Sequence, residues 1–128
     1  GPHRAPDLYA PSPLFRKAWL FVTLNYDIAA ILSAKYGLCL ADDLLQPYDE
    51  TLKGMSRAAR QAWAERVFVQ MHERLRLDSI HEVHFHTGKE YREHLWKMLE
   101  SEGKSCACPV AGLRFGERMQ WYGGDKLR

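Results

Sequence analysis

The sequence predicts an α/β fold, a layered αβα domain with a small, mainly parallel sheet. Two observations lead to this prediction. Short apolar runs typical of buried strands alternate with longer segments whose apolar residues recur every three or four positions, as in amphipathic helices. Such alternation favours βαβ units and parallel strands. The length of 128 residues and the 46% hydrophobic content suit a single domain over 1–128.

The predicted elements begin with an extended arm over 1–13, which holds four of the six prolines. A helix ending near Asn25 follows, with Ser12 as its cap and Pro13 in its first turn, where proline is tolerated. The remaining predicted elements are, in order, a strand over 27–33, a helix over 56–75 capped by Ser56, a strand over 80–86, a helix over 88–102, a strand over 105–109 and a short C-terminal helix.

The first clear strand ends abruptly in a long polar loop, Ser33 to Lys53. Long loops in compact domains are usually functional or disordered, and the apolar content of this one favours order. Ligands of open parallel sheets bind outside the carboxyl ends of the strands. We therefore expect a cleft at this rim, lined by Ser33, Lys35, Tyr36, Tyr48, Asp49, Thr87, Lys89 and Arg114.

The side chains at this rim suit a nucleotide ligand. The ammonium group of Lys35 can hold phosphate, and the rings of Tyr36 and Tyr48 can stack on a base. The carboxylate of Asp49 can position water. Each residue alone is equally typical of an ordinary surface or packing position, so the hypothesis depends on their convergence.

The segment from Thr87 to Glu90 predicts a capping box that opens a helix directly after a strand. Backbone N–H groups at such a helix start can bind an anion, with Gly88 allowing close approach and Lys89 adding charge. The plainer interpretation is a cap that only begins the helix.

A metal site has weak candidates in His84 and His86 on one predicted strand and Cys106 and Cys108 on another. Two histidines and two cysteines suit tetrahedral zinc. Their spacings do not match the usual zinc-binding patterns, however, and buried cysteines often pack as small apolar groups. We therefore predict neither a metal nor a cofactor.

Composition narrows the cellular setting. Three cysteines make no disulfide framework, which favours reduced thiols in a cytoplasmic protein. No apolar run approaches the roughly 20 residues of a membrane span. The net charge of +2 permits a polyanionic partner such as nucleic acid without requiring one.

Several sequence blocks, in the expected order, resemble a known family pattern. They are D-L-Y-A-P-S-P-L-F-R-K at 7–17, L-S-A-K-Y-G-L at 32–38, P-Y-D-E-T-L at 47–52, Y-R at 91–92 and P-V-A-G-L-R-F-G at 109–116. Together they resemble a small bacterial and phage domain family of unknown function. That family is distantly similar to the YaaA peroxide-stress proteins and, by a further likeness, to uracil-DNA-glycosylase-like folds.

The resemblance implies a layered α/β sheet and chemistry on base–sugar bonds. Family members usually begin with an apolar strand and a polar turn that precede D-L-Y, and no such strand precedes D-L-Y here: either it was removed, or this member lost it, or another chain supplies it. We therefore expect an exposed sheet edge, which can pair with a second copy in a homodimer or with a strand-donating partner chain.

Two functions from different classes remain open. The preferred hypothesis is an enzyme that acts on nucleic acid or nucleotides, a DNA-glycosylase-like hydrolase of N-glycosidic bonds with Asp49 and Lys35 as catalytic residues. The alternative is a non-catalytic DNA-binding or protein-interaction module linked to stress or phage defence. A glycosidase needs a buried carboxylate beside a base-sized pocket, whereas a binding module needs only a basic face.

Overall fold

The computed structural model describes residues 1–124 and contains five α-helices and six short strands within that range. The strands are β1 His3–Arg4, β2 Ile31–Ser33, β3 Gly37–Cys39, β4 Leu44–Leu45, β5 Glu82–His84 and β6 Ser105–Ala107. The helices are α1 Ala5–Tyr9, α2 Pro13–Asn25, α3 Arg57–Arg74, α4 Lys89–Ser101 and α5 Phe115–Gly123, with single 3₁₀ turns at Leu52–Gly54 and Leu77–Ser79.

The fold is a mixture of helices and small sheets, which is compatible with the predicted α/β class. Across residues 1–124 the strands form three two-stranded sheets, β1–β4, β2–β3 and β5–β6. Strands β5 and β6 make a parallel pair, joined by α4 as in a βαβ unit, whereas β1 and β4 are antiparallel. The parallel arrangement predicted for the sheet is therefore seen in the β5–β6 pair.

The longer helices occur where their periodicity predicts them. Both predicted serine caps are confirmed: Ser12 Oγ accepts the Phe15 N–H, and Ser56 Oγ accepts the Ala59 N–H, each at 3.1 Å. These bonds satisfy N–H groups that have no partner inside the helix. The predicted capping box from Thr87 to Glu90 is wrong, because the N-cap of α4 is Gly88, which has no side chain and makes no side-chain cap hydrogen bond.

The first thirteen residues correct the sequence-based prediction of an extended arm. They contain β1 and α1 instead, and the side chain of Ala5 is buried. The Ala5 N–H donates to the Asp43 carbonyl at 2.9 Å, next to the β1–β4 pairing. The predicted strand over 27–33 is likewise shorter and covers only β2.

The chain divides into two compact units. Among the described residues, the first unit comprises 1–31, 39–48 and 112–124, and the second comprises 32–38 and 49–111. In the first unit α2 packs on α5, with the ring of Phe21 4.9 Å from Trp121 and 5.7 Å from Tyr122. The single domain inferred from chain length stays a prediction.

The second unit has a core between α3 and α4. Its most deeply buried side chains include Trp63 and Val67 of α3 and Leu95 and Leu99 of α4. Burying an aliphatic side chain of this size contributes about 1.5–3 kcal/mol, so this core holds the helix pair together. Within 1–124, no helix combines the length and apolarity required to cross a membrane.

Candidate functional site

The loop that joins β2 to β3 is a tight turn built on Ser33, the last residue of β2. Its Oγ accepts the backbone N–H groups of Lys35 at 3.2 Å and Tyr36 at 2.9 Å. Serine is suited to this role because its short hydroxyl reaches the backbone a few residues ahead. The side chain of Ser33 is 0% exposed. Ser33 therefore shapes the turn from inside rather than offering its hydroxyl at the surface.

Helix α3 supports the turn at two points in the second unit. The indole Nε1 of Trp63 donates to the Ser33 carbonyl at 2.9 Å. Two helical turns later, the Gln70 side-chain amide donates to the Tyr36 carbonyl at 3.1 Å and accepts the Leu38 N–H at 2.8 Å. Both side chains come from one face of α3, because positions seven apart lie nearly above one another on a helix.

Glycine is required at the end of the turn, where β3 begins. Gly37 has a φ of +76°, a conformation that costs little only for glycine. A Cβ placed on it would also lie 2.2 Å from Gln70 Oε1. The absence of a side chain at Gly37 thus leaves space for the Gln70 amide, which bonds the neighbouring residues Tyr36 and Leu38.

At the surface, this turn presents a cation beside an aromatic ring. Lys35 is exposed, and its Nζ lies 5.4 Å from the centroid of the half-buried Tyr36 ring. Residues 1–124 supply no hydrogen bond or ion pair to that Nζ. Lysine over a tyrosine face is held by cation–π attraction, which is modest at an exposed site. The pair offers a positive charge and an adjacent ring to a ligand.

Asp49, the proposed catalytic carboxylate, also belongs to the second unit and is exposed. It makes no hydrogen bond or ion pair with any residue that the structure describes. A glycosidase was expected to shield this carboxylate from water, and the structure does not do so. Asp49 is therefore open to solvent and to any ligand.

The residues that follow β5 lie at the start of α4. The Thr87 carbonyl accepts a hydrogen bond from the Arg92 guanidinium at 2.7 Å, and the buried Thr87 Oγ1 finds no partner within 1–124. Lys89 is exposed. A Cβ on Gly88 would lie 2.6 Å from Glu90 Oε1, so a carboxylate already covers this helix start. That negative charge disfavours a bound anion there.

The turn and the start of α4 are linked through Trp63. The ring of Tyr91, in the first turn of α4, meets the Trp63 ring edge-on at 5.6 Å. Trp63 is 2% exposed and also holds Ser33, as described above. The structure thus connects the turn with the helix start through one tryptophan, and the predicted cleft stays a prediction.

Tyr48 and Arg114, two further predicted site residues, belong to the first unit. The Tyr48 hydroxyl is hydrogen-bonded to the Tyr9 hydroxyl, and their rings meet edge-on at 6.4 Å. Arg114 is exposed and caps α5, where its backbone N–H donates to the Glu117 carboxylate at 2.8 Å. Both residues thus have structural roles within their own unit.

The weak zinc candidates do not share a face. In the parallel β5–β6 pair, Val83 lies opposite Cys106 and His84 lies opposite Ala107. Because paired residues point to the same side and alternate along the strand, His84 and Cys106 point to opposite sides. No group of three histidine, cysteine or acidic side chains within 1–124 could hold a metal ion.

The four candidate metal ligands lie in different surroundings, and their contacts do not favour metal binding. His84 pairs with Glu82, whereas burial and then the nearby His84 lower the pKa of His86 from 6.5 to about 4. Burial, and then the Glu100 carboxylate, raise the pKa of the Cys106 thiol. Cys106 makes a weak bond to the Trp96 carbonyl at 3.9 Å, and Cys108 is half-buried with a free thiol. A protonated thiol is a poor metal ligand.

Sequence reasoning missed the contributions of Trp63 and Gln70. Both lie in the predicted helix over 56–75, where Trp63 belongs to the apolar residues that recur every four positions and Gln70 lies beside them. Their partners in the turn are 30 to 34 residues away, so no local pattern indicates the contacts. A buried tryptophan usually finds a partner for its N–H, and this was the one available signal.

Comparison with known proteins yields a single finding. The chain matches no curated protein and no solved structure. A family model matches residues 1–124, nearly the whole chain. The chain therefore belongs to DUF6884, a family of unknown function.

Proposed function

We propose that the second unit is a cytoplasmic nucleotide- or nucleic-acid-binding element whose contact point is the turn at 33–37. Lys35 contacts a phosphate, and the ring of Tyr36 stacks on a base. The observation that carries this proposal is the exposed Lys35 ammonium 5.4 Å from the Tyr36 ring centroid, on a turn that Ser33, Trp63 and Gln70 hold by hydrogen bonds.

The two side chains complement the two parts of a nucleotide. The Lys35 ammonium has no counter-ion among residues 1–124, so a phosphate can bind it without first displacing an acidic side chain. A base that stacks on Tyr36 leaves the ammonium beside the ring, where the ammonium can contact the phosphate. Base–aromatic stacking contributes about 1–3 kcal/mol and tolerates different bases, so we expect little sequence preference.

Binding is tested by fluorescence anisotropy with labelled single-stranded oligonucleotides and the variants Lys35→Gln and Tyr36→Leu. We expect Tyr36→Leu to cost about 1–3 kcal/mol of binding free energy. Lys35→Gln should weaken binding across sequences and reduce the salt dependence by about one phosphate contact. Lys53→Gln, another exposed lysine of this unit, is the matched control. Unchanged affinity in both test variants would refute the proposal.

Hydrolysis of an N-glycosidic bond is the reaction we propose for a bound nucleic acid. Water adds to the sugar carbon, and the base leaves with a proton. Asp49 orients the water or stabilises the cationic sugar, as the resemblance to glycosylase-like folds suggests. Because Asp49 is exposed, the substrate itself has to exclude water from it.

The assay for this step scores abasic sites in modified and unmodified DNA. Glycosylase activity predicts abasic product that Asp49→Asn removes and Glu50→Gln, at the neighbouring exposed position, retains. Oligonucleotide binding without abasic product would favour the non-catalytic module. Neither binding nor product would favour a protein-interaction role.

Self-association remains part of the proposal. Each two-stranded sheet has outer edges that a further strand could extend. We therefore retain a homodimer or a strand-donating partner as a prediction, tested at the scale of the whole molecule below.

A further inference from the structure

We infer that Gln70 is a positioning residue for the Lys35–Tyr36 pair, setting the affinity of the turn for its ligand without touching that ligand. This inference rests on the proposed function, because it assigns Gln70 a role in the same site. The supporting observation is that one side-chain amide hydrogen-bonds the backbone on both sides of Gly37, at 3.1 Å and 2.8 Å.

The Gln70 amide hydrogen-bonds the backbone of the turn with one donor and one acceptor, as the backbone of a neighbouring β-strand would. It offers one donor to the Tyr36 carbonyl and one acceptor to the Leu38 N–H from a single planar group. A carboxylate can only accept, and a thioether forms neither bond strongly. Of the other side chains, only asparagine offers both in the same way, and it is one methylene shorter.

Gly37 is matched to this amide. Its φ of +76° and the 2.2 Å between its would-be Cβ and Gln70 Oε1 mean that a side chain at 37 would displace the amide. Gly37 and Gln70, which are 33 positions apart in the sequence, therefore both contribute to the contact between the amide and the turn. The pairing indicates that the amide's place in the turn is specific.

The amide acts on the side chains that the turn presents. Ser33 Oγ fixes the N–H groups of Lys35 and Tyr36, and Gln70 fixes the carbonyl of Tyr36. Without the Gln70 amide, the Tyr36 carbonyl and the Leu38 N–H lose these hydrogen bonds, and we expect the Tyr36 ring to shift relative to the ammonium. Ligand affinity should then fall because the pair is no longer preorganised.

The test compares Gln70→Met, which keeps the length but loses both bonds, with Gln70→Glu, which keeps only the acceptor. Gln61→Met on the same helix is the matched control. Oligonucleotide affinity is measured by anisotropy. The pose of Lys35 is measured by NMR, because the Tyr36 ring shifts the resonances of the Lys35 ε-protons. Tyr36→Leu supplies the reference value with no ring.

We expect Gln70→Met to bind about five- to tenfold more weakly, as befits two lost hydrogen bonds, and to move the Lys35 resonances toward the Tyr36→Leu value. Gln70→Glu should fall between Gln70→Met and wild type, and Gln61→Met should match wild type. A merely structural glutamine would alter the melting temperature but leave the resonances of the folded protein in place.

The inference is wrong if Gln70→Met keeps both the wild-type affinity and the wild-type Lys35 resonances. If Gln70→Met does not fold, Gln70→Glu decides by the same two measurements. Failure of the wild type to bind any oligonucleotide would refute the proposed function and, with it, the role of Gln70 in affinity. Lys35 resonances that still respond to Gln70→Met would identify that outcome as a failure of the function rather than of the positioning.

Discussion

Ser33 illustrates how one buried oxygen can organise a surface. Its hydroxyl accepts two N–H groups while its carbonyl accepts the indole of Trp63. The sequence identified Ser33 as a site residue because it follows an apolar strand. It could not separate a ligand contact from an internal brace, because both need a short polar side chain at the same position.

Replacing Ser33 with alanine should lower the free energy of unfolding by about 1–3 kcal/mol, because two backbone N–H groups lose their acceptor. Urea unfolding measures the change. Ser79→Ala is the control, since Ser79 is exposed and donates only to the Arg76 carbonyl nearby. That control should stay within about 0.5 kcal/mol of wild type. Equal effects of the two substitutions would contradict the role assigned to Ser33.

His86 gives the stability a predictable pH dependence. Burial and then His84 lower its pKa from 6.5 to about 4 in the folded protein. The unfolded chain therefore binds more protons than the folded one between these values. Stability from this group is fully present above pH 6.5 and declines as the pH falls to about 4.

We expect His86→Gln to reduce the slope of unfolding free energy against pH between 4 and 6.5. Urea titrations at several pH values measure that slope. His81→Gln, at an exposed position five residues earlier, should leave it close to that of wild type. A wild-type slope in His86→Gln would show that the pH dependence arises elsewhere.

Helices were more predictable than strands because their signals are local. The caps at Ser12 and Ser56 and the four-residue repeats of α3 lie within the elements they define. In contrast, β1 has two residues and pairs with β4 some forty positions away. A strand so short carries no alternation, and its existence depends on a partner that periodicity cannot identify.

Helix α3 supports the turn through Trp63, and a substitution of this tryptophan tests that support. Trp63→Phe keeps an aromatic ring in the core but removes the donor to the Ser33 carbonyl. We expect a loss of about 0.5–1.5 kcal/mol in unfolding free energy from the lost hydrogen bond. Oligonucleotide affinity should fall as well, because the turn loses one of its supports.

Trp96→Phe is the matched control for this experiment. Trp96 is half-buried and stacks on Phe85 with ring centroids 5.9 Å apart, remote in sequence from the turn. Its replacement should leave oligonucleotide affinity unchanged. Loss of affinity in both variants would indicate a general effect of core disruption.

At the scale of the whole molecule, the sequence predicted the mixture of helices and strands but not the division into two units. The chain passes between the units near residues 31, 38, 48 and 111. None of these points carries a proline- or glycine-rich linker of the kind that marks a domain boundary in sequence. Tyr48 and Asp49 are adjacent in the chain yet fall in different units.

The open edge of the β1–β4 sheet predicts self-association. Leu44 of β4 is 66% exposed, and an exposed apolar side chain on a short edge strand favours pairing with another chain. We expect light scattering to detect dimers at high concentration and Leu44→Lys to reduce them. Val69→Lys, at an exposed apolar position on α3, should not. A strict monomer at all concentrations would contradict this prediction.

Trp63 and Gln70, which lie seven positions apart in the sequence, also fix the distance between two supports of the turn. They span two turns of α3, about 10.5 Å along its axis, and each end is bonded to the β2–β3 turn. Removing one residue between them would rotate Gln70 by about 100° relative to Trp63 and shorten the span by about 1.5 Å. The helix would persist, yet the hydrogen bonds of Trp63 and of Gln70 to the turn could no longer form at the same time. Loops elsewhere in the chain can therefore change length more freely than this stretch of helix.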